Sequence, residues 1–336
     1  MSDNPKEVEE KMEKAIFISA DCWLKVFDLL PPSQLGLGIA LISHRFDYYV
    51  DEHFKTRKWT LDSIELCQKF GEIGPNQMQI VNYDGNPLPI PQNPLPNKVI
   101  GFQGIQISYI DQNVIAFLRR FHRLFPICAT DAHIFTENVR ILDFVLLNIW
   151  PMLRNSMHVM YFNSITFRRL RQLAPSLLNN CPSLHTVYFD DYVHLAFPPD
   201  ESANASDGQA VAKWLLTPRP DGWPKWIKSI VNSPVDQWSS MIEQLKAAFS
   251  NASSPVSFMF FVHVRPFSSI DFVVPFDLIN EQTGEKLTLK QYANEFWLFR
   301  CPIAWDQRKW ENMWEKLNAR QNPIDIRISE GGFYDG

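Results

Sequence analysis

The sequence predicts an α/β fold: a three-helix N-terminal unit, then a β/α repeat-like region, then a C-terminal α+β module. Three observations predict it. Trp23, Val26, Phe27 and Leu30 recur at i, i+3, i+4 and i+7, which is one face of a helix. Ile80, Ile107, Ile134, Tyr161 and Tyr188 recur every 27 residues, the later ones in short β-like runs separated by helical stripes. Beyond residue 225, apolar alternation, a Thr283-Gly284 turn and amphipathic helices mix without that period.

Residues 1–15 are charged and lack the apolar core of a secretory signal, so they read as a tail. Ser19 or Asp21 caps the first helix, and Pro31-Pro32 stops it, because proline lacks the amide donor and clashes with the preceding turn. Ser33 opens a second apolar stretch, Leu35 to Ile42, and Ser43 a third with Phe46, Tyr49, Val50 and Phe54 at helical spacing. Trp59 closes a unit spanning 16–60, too small to bury much surface alone. Residues 61–98 carry Pro87, Pro89, Pro91, Pro94 and Pro96; with φ held near −65°, they predict an extended, semi-rigid linker.

The repeat-like region is 99–197. Its helical stripes are Val114, Phe117, Leu118, Phe121; then Phe144, Leu147, Trp150; then Phe167, Leu170, Leu173, Leu177. A strand plus a helix in 27 residues has the length of a leucine-rich repeat, although the leucine–asparagine consensus is absent. The expected result is a parallel sheet with Ile107, Ile134, Tyr161 and Tyr188 at equivalent places on neighbouring strands. Residues 198–224 are rich in turn formers and read as loop around a short helix, Gln209 to Leu216, capped by Asp207. Residues 225–336 predict helices at Trp238–Phe249 and after Asp306, and strands at Val256–Val264, Phe272–Leu278, Lys286–Leu289, Glu295–Arg300 and Ile324–Ile328.

The chain has 336 residues, net charge −5 and five scattered cysteines. That balance gives no pull towards nucleic acid or anionic membrane, and the cysteines form neither a disulfide framework nor a CxxC zinc half-site. A reducing compartment, cytoplasmic or nuclear, is the expectation. No apolar run reaches the ~20 residues of a membrane helix. Walker, HExxH, GxSxG and GxGxxG patterns are absent, so no catalytic residue, metal ligand or cofactor is assigned. Asp190-Asp191 at a strand end reads as a solvated terminus. Two places are candidates for holding a target protein. One is Trp223 with Trp226 in the proline-broken segment Pro220-Asp-Gly-Trp-Pro-Lys-Trp226, where partial exposure is expected; the other is the arginine cluster containing Arg168 and Arg169.

Ile18-Ser-Ala-Asp-Cys-Trp-Leu-Lys-Val-Phe-Asp-Leu-Leu-Pro-Pro-Ser-Gln-Leu35, followed by Ile42-Ser-His-Arg-Phe46 and Trp59, resembles the F-box. Ile18 stands at the opening leucine, Asp21 at the acid, Val26-Phe27 at Ile-Phe, and Leu30 and Leu35 at the later leucines. Ser19 replaces the family's proline and Cys22-Trp23 its leucines. Gly208 to Lys225 and Pro275 to Leu287 resemble segments of the large nematode F-box families. The resemblance implies docking on a Skp-type adaptor, and through it a cullin scaffold, by Ile18, Ser19, Cys22, Trp23, Val26, Phe27, Leu30, Pro31 and Leu35. It implies a substrate receptor of an SCF-type ubiquitin ligase whose target is unspecified. The alternative is an adaptor-binding scaffold that does not promote ubiquitination.

Overall fold

The computed structural model describes residues 18–30, 32, 35, 39–56, 58–69, 78–82, 84–88, 99–121, 130–134, 136, 138–232, 235–236, 238–266, 268, 273–305, 307–318 and 324–333. The chain forms two compact units, Met1–Trp59 and Thr60–Gly336.

In the first unit, helix α1 (Ala20–Phe27) begins where the Ser19 hydroxyl accepts the Cys22 amide at 3.4 Å. Asp21 in its first turn and Lys25 in its last oppose the helix dipole. A 3₁₀ turn, Ala40–Ile42, leads into α2 (His44–Thr56), opened by Ser43 Oγ accepting the Phe46 amide. The core is Phe27, Leu35 and Val50, with Trp23, Leu24, Leu30, Phe46 and Phe54 packed against it. Trp23 meets Phe46 edge-on at 4.8 Å, and Arg45 donates to the Ile18 carbonyl at 3.3 Å, tying α2 to the start of α1.

The second unit runs β2 (Ile64–Gln68), β3 (Met78–Asn82), β4 (Pro87–Leu88), β5 (Val99–Phe102) and β6 (Gly104–Ile110), after β1 (Trp59–Leu61) at the boundary. Then come α3 (Gln112–Phe121), β7 (Thr130–Ile134) and α4 (Val139–Phe144), which passes through a π-helical turn, Val145–Ile149, into α5 (Trp150–Leu153). β8 (Met157–Phe162), α6 (Ser164–Leu173), β9 (Thr186–Phe189), α7 (Asp207–Leu215), β10 (Lys225–Val231), α8 (Trp238–Ser250) and β11 (Phe258–Val264) follow. The chain continues with β12 (Phe276–Asn280), β13 (Glu285–Tyr292), β14 (Glu295–Pro302), α9 (Gln307–Asn318) and β15 (Ile324–Phe333).

β5 pairs with β1 in a two-stranded sheet, and one mixed sheet joins the other strands in the order β12-β13-β14-β11-β10-β9-β8-β7-β15-β6-β2-β3-β4. The middle is parallel, and antiparallel strands flank it on both sides. Val187, Phe189, Ile227, Phe258, Phe260 and Leu298 face the main core, shared with Phe167 and Leu170 of α6, Trp214 of α7 and Trp238 of α8. Because side chains alternate along a strand, the intervening residues lie on the opposite face.

Four expectations are corrected. The repeat strands are not successive neighbours: β15 enters between β6 and β7, so Ile328 pairs with both Ile107 and Ile134. Between β7 and β8 the register slips at His158, a bulge that brings His133 rather than Ile134 opposite Tyr161. Only from β8 to β9 does the 27-residue step hold as register, Tyr161 on Tyr188 and Phe162 on Phe189. Second, the expected linker contributes strands, since β2, β3 and β4 complete one side of the sheet; its Pro89 to Pro96 stretch lies outside the described residues. Third, residues 225–336 are not a separate module, because β10 covers the edge β9 would otherwise expose. Fourth, Leu147 is exposed rather than part of a buried stripe: the π turn changes the phase, and Ile149 and Trp150 take the buried side.

Candidate functional site

Register across the sheet builds one row on the face opposite the main core. His133, Tyr161, Tyr188, Lys228, Phe261, Trp297 and Lys290 are consecutive partners on β7, β8, β9, β10, β11, β14 and β13. His133 stacks on Tyr161 at 3.8 Å and 8°, and Tyr161 on Tyr188 at 4.4 Å and 6°. Lys228 Nζ follows, 5.8 Å from the Tyr188 ring and 5.3 Å from that of Phe261; Phe261 meets Trp297 edge-on at 5.0 Å.

The row opens into a cavity of about 620 Å³ whose walls include Trp226, Met259, Phe299, Trp305, Trp310 and Tyr292. Its volume falls within the range of ligand pockets, ~300–1,000 Å³. The apolar floor is a small core of its own: Trp226, Met259, Cys301 and Trp310, with Trp297, Phe299 and Trp305 packed against it. Trp310 of α9 meets Trp226 at 5.6 Å and Trp305 at 5.3 Å, both near-perpendicular. Three lysines enter this apolar space. Lys228 and Lys290 meet ring faces, and Lys286 donates to the Trp305 carbonyl at 2.8 Å. Among the described residues Glu295 is the one carboxylate in the lining; it accepts the Trp297 indole N–H at 3.2 Å and lies 3.6 Å from His263 Nδ1. A second cavity of about 270 Å³ shares Tyr188 and Lys228 with the first and reaches Tyr161 and Asp190.

Trp226 is therefore not on an exposed loop. It is the second residue of β10, bonded through its amide to the His185 carbonyl, and is 6% exposed. Pro224 precedes the strand instead of breaking it, as proline is tolerated where a strand starts. Trp223 is half-buried before β10, its amide bonded to Asp221 at 3.1 Å, and does not line the cavity. Lys225, buried beside Trp226, holds the end of α7: its ammonium donates to the Trp214 and Thr217 carbonyls and lies 4.9 Å over the Trp214 ring. Burial lowers its pKa to about 7; the Arg219 charge acts the same way and Glu201 opposes.

Arg168 and Arg169 are exposed on α6, but Arg168 is paired with Asp207 at 2.9 Å. The neighbouring Arg171 is buried, bonded to Asp207 and to the carbonyls of Ser202 and Ala205, so this end of α6 clamps the 198–206 loop. Ser206, not Asp207, caps α7, in a reciprocal box with Gln209. Gly208 passes so close to the His194 carbonyl that a Cβ would lie 2.1 Å from it. Asp191 is a cap too, accepting the Ser164 amide at 3.0 Å at the start of α6.

In the first unit the expected docking stripe divides. Phe27 and Leu35 are fully buried in the unit's own core, and Trp23 and Leu30 pack against it. Ile18, Ser19, Cys22 and Val26 are exposed, Val26 at 42%; Pro31 lies outside the described residues. Leu29, absent from the expected set, is 83% exposed. Helical phase accounts for part of this: Cys22 and Val26 lie about a quarter-turn round α1 from Trp23 and Phe27, while Leu29 and Leu30 follow the helix end. Sequence reasoning also missed Tyr188, Lys228, Phe261, Trp297 and Lys290. The 27-residue step marks Tyr188 together with Tyr161, whereas Lys228, Phe261, Trp297 and Lys290 carry no comparable signal in the sequence.

Among the described residues, no group of three or more His, Cys, Asp or Glu side chains could hold a metal ion, and no helix is long and apolar enough to cross a membrane. Comparison with known proteins finds no matching family model, no matching curated protein and no matching solved structure.

Proposed function

We propose that the chain is the substrate-recognition subunit of an SCF-type ubiquitin ligase. Residues 16–60 dock on a Skp-type adaptor, and through it on a cullin scaffold, while the larger unit holds a target protein. The reading starts from the F-box resemblance. The observation that carries it is the exposed apolar side chains of the first unit: Val26, Leu29 and Ile42 are exposed while Phe27, Leu35 and Val50 form its core. A unit this small with apolar side chains directed outward gains by burying them on a partner. The larger unit supplies a cavity for the target. The contribution to ubiquitin transfer is proximity: holding the target beside the charged conjugating enzyme raises its effective concentration, and no residue of this chain takes part in bond making.

The test is adaptor capture by the full-length chain, with Val26→Asp/Leu29→Asp as the variant. The wild type should retain purified adaptor, and the variant should lose it with an unchanged circular dichroism spectrum. Absence of capture by the wild type, or equal capture by both, overturns the reading. Ubiquitination of a bound target in a reconstituted ligase then separates a receptor from a scaffold that binds the adaptor alone.

A further inference from the structure

The large cavity has a chemistry more specific than apolar. Lys228 and Lys290 face only aromatic rings among the described residues, with no carboxylate paired to either. Their charges are left available to a ligand, in a chain whose net charge is −5. The lining carboxylate, Glu295, is already engaged by the Trp297 indole and His263. Each ammonium keeps donors for a carboxylate beside an aromatic ring, so a ligand pairing an acid with an apolar group satisfies both.

The shape is extended. The two cavities share Tyr188 and Lys228 in their walls, and the row from His133 to Lys290 crosses seven strands. At ~4.8 Å per strand this is about 29 Å, the length of roughly nine residues of extended peptide. Charge varies along the row. Lys228 and Lys290 lie on β10 and β13, and Asp190 shares the smaller cavity with Lys228. At the β7 side, burial raises the Tyr188 pKa and Asp131 adds to it, while Arg327 pairs with His133 in register.

We propose that this face binds an extended peptide segment of the target, with a large apolar or aromatic residue in the tryptophan cavity and adjacent Asp or Glu side chains on Lys228 and Lys290. The proposal rests on the receptor reading above and names the class of target that reading leaves open. A nucleic acid is disfavoured by the net charge of −5.

The test uses the full-length chain and a phage library of random nonapeptides. Expected is enrichment of sequences in which Trp, Phe or Tyr adjoins Asp or Glu. A dye-labelled peptide of the enriched sequence should bind, and Lys228→Glu/Lys290→Glu should weaken it at least tenfold. Both lysines are exposed, so the fold and thermal transition should persist. Trp297→Ala should weaken it comparably. No enrichment, enrichment lacking either acid or aromatic residues, or peptide binding untouched by the double lysine variant overturns the proposal. So does a twelve-residue oligouridylate that binds in place of the peptide. Adaptor capture is measured on the same proteins. The lysine variant should keep it; peptide binding without any adaptor capture would overturn the receptor reading and leave the peptide site standing.

Discussion

Glu285 and Arg300 form a buried ion pair, 1% and 3% exposed, on neighbouring strands β13 and β14. The carboxylate accepts Arg300 Nε at 2.9 Å and Nη2 at 2.5 Å through one oxygen and the Val256 amide at 2.8 Å through the other. Arg300 also donates to the Ser254 carbonyl and lies 5.2 Å over the Phe249 ring. Arg300→Met keeps most of the stem and leaves the carboxylate with one donor. Two charge-assisted bonds at ~1.5–3 kcal/mol each put the loss at about 3–6 kcal/mol, and breaking one side of a buried pair costs ~3–5 kcal/mol. A loss of about 4 kcal/mol is expected, a large part of a typical stability of ~5–15 kcal/mol. Urea unfolding followed by tryptophan fluorescence measures it. Glu285→Leu with Arg300→Met should recover at least half of the loss, because no unpaired charge then stays buried. A single variant losing less than ~1 kcal/mol, or a double variant no better than the single, would show that the pair is not what holds β13 to β14. Lys286, next in sequence, lines the cavity, so Arg300→Met should also weaken peptide binding.

Three further outcomes are expected. Phe27→Ala should cost ~3–5 kcal/mol and unfold the first unit, whereas Leu29→Asp should not; amide hydrogen exchange over residues 44–56 distinguishes them, and equal protection in both variants would contradict the assigned core. Lys225 has a folded pKa of about 7 against an ordinary value of 10.5, so between those values the unfolded chain holds a proton that the folded chain lacks. Stability should therefore rise as pH increases across that window, by up to ~1.4 kcal/mol per unit, and Lys225→Met should flatten the slope in pH-dependent urea titrations. Asp207→Ala, which strips a partner from buried Arg171, should cost about 2 kcal/mol and speed proteolysis within 198–206, while Arg168→Ala at the surface should cost less than ~1 kcal/mol.

Much of the local structure is legible in the sequence because caps, stops and periodicity act over a few residues. Ser19 before α1, Ser43 before α2, the Gly284 turn with φ +68° between β12 and β13, and the near-continuous apolar run of Phe258–Val264 all lead to the observed elements. What is not legible depends on partners far along the chain. The 27-residue step marks real strands, but nothing in the repeat announces that Ile328 comes between Ile107 and Ile134, or that His158 is a bulge. The cavity is hidden for the same reason. Lys228, Phe261 and Trp297 share nothing in sequence and are joined only by register. Trp226 shows the converse error, where a proline-rich neighbourhood suggested exposure although strand pairing on both sides buries it. In α1, Trp23, Phe27 and Leu30 of the apolar stripe pack inward but Val26 does not, and telling them apart requires the positions of Leu35 and Val50.

The placement of β15 has a consequence for how the molecule is made. Strands β6 and β7 emerge from the ribosome early, yet each acquires its shared neighbour only when residues some two hundred positions later arrive. Contacts closing so large a loop form slowly. Until then both strands present unpaired amides and carbonyls, the kind of edge that recruits other chains. A ribosome stalled before codon 324 should therefore yield an aggregation-prone product.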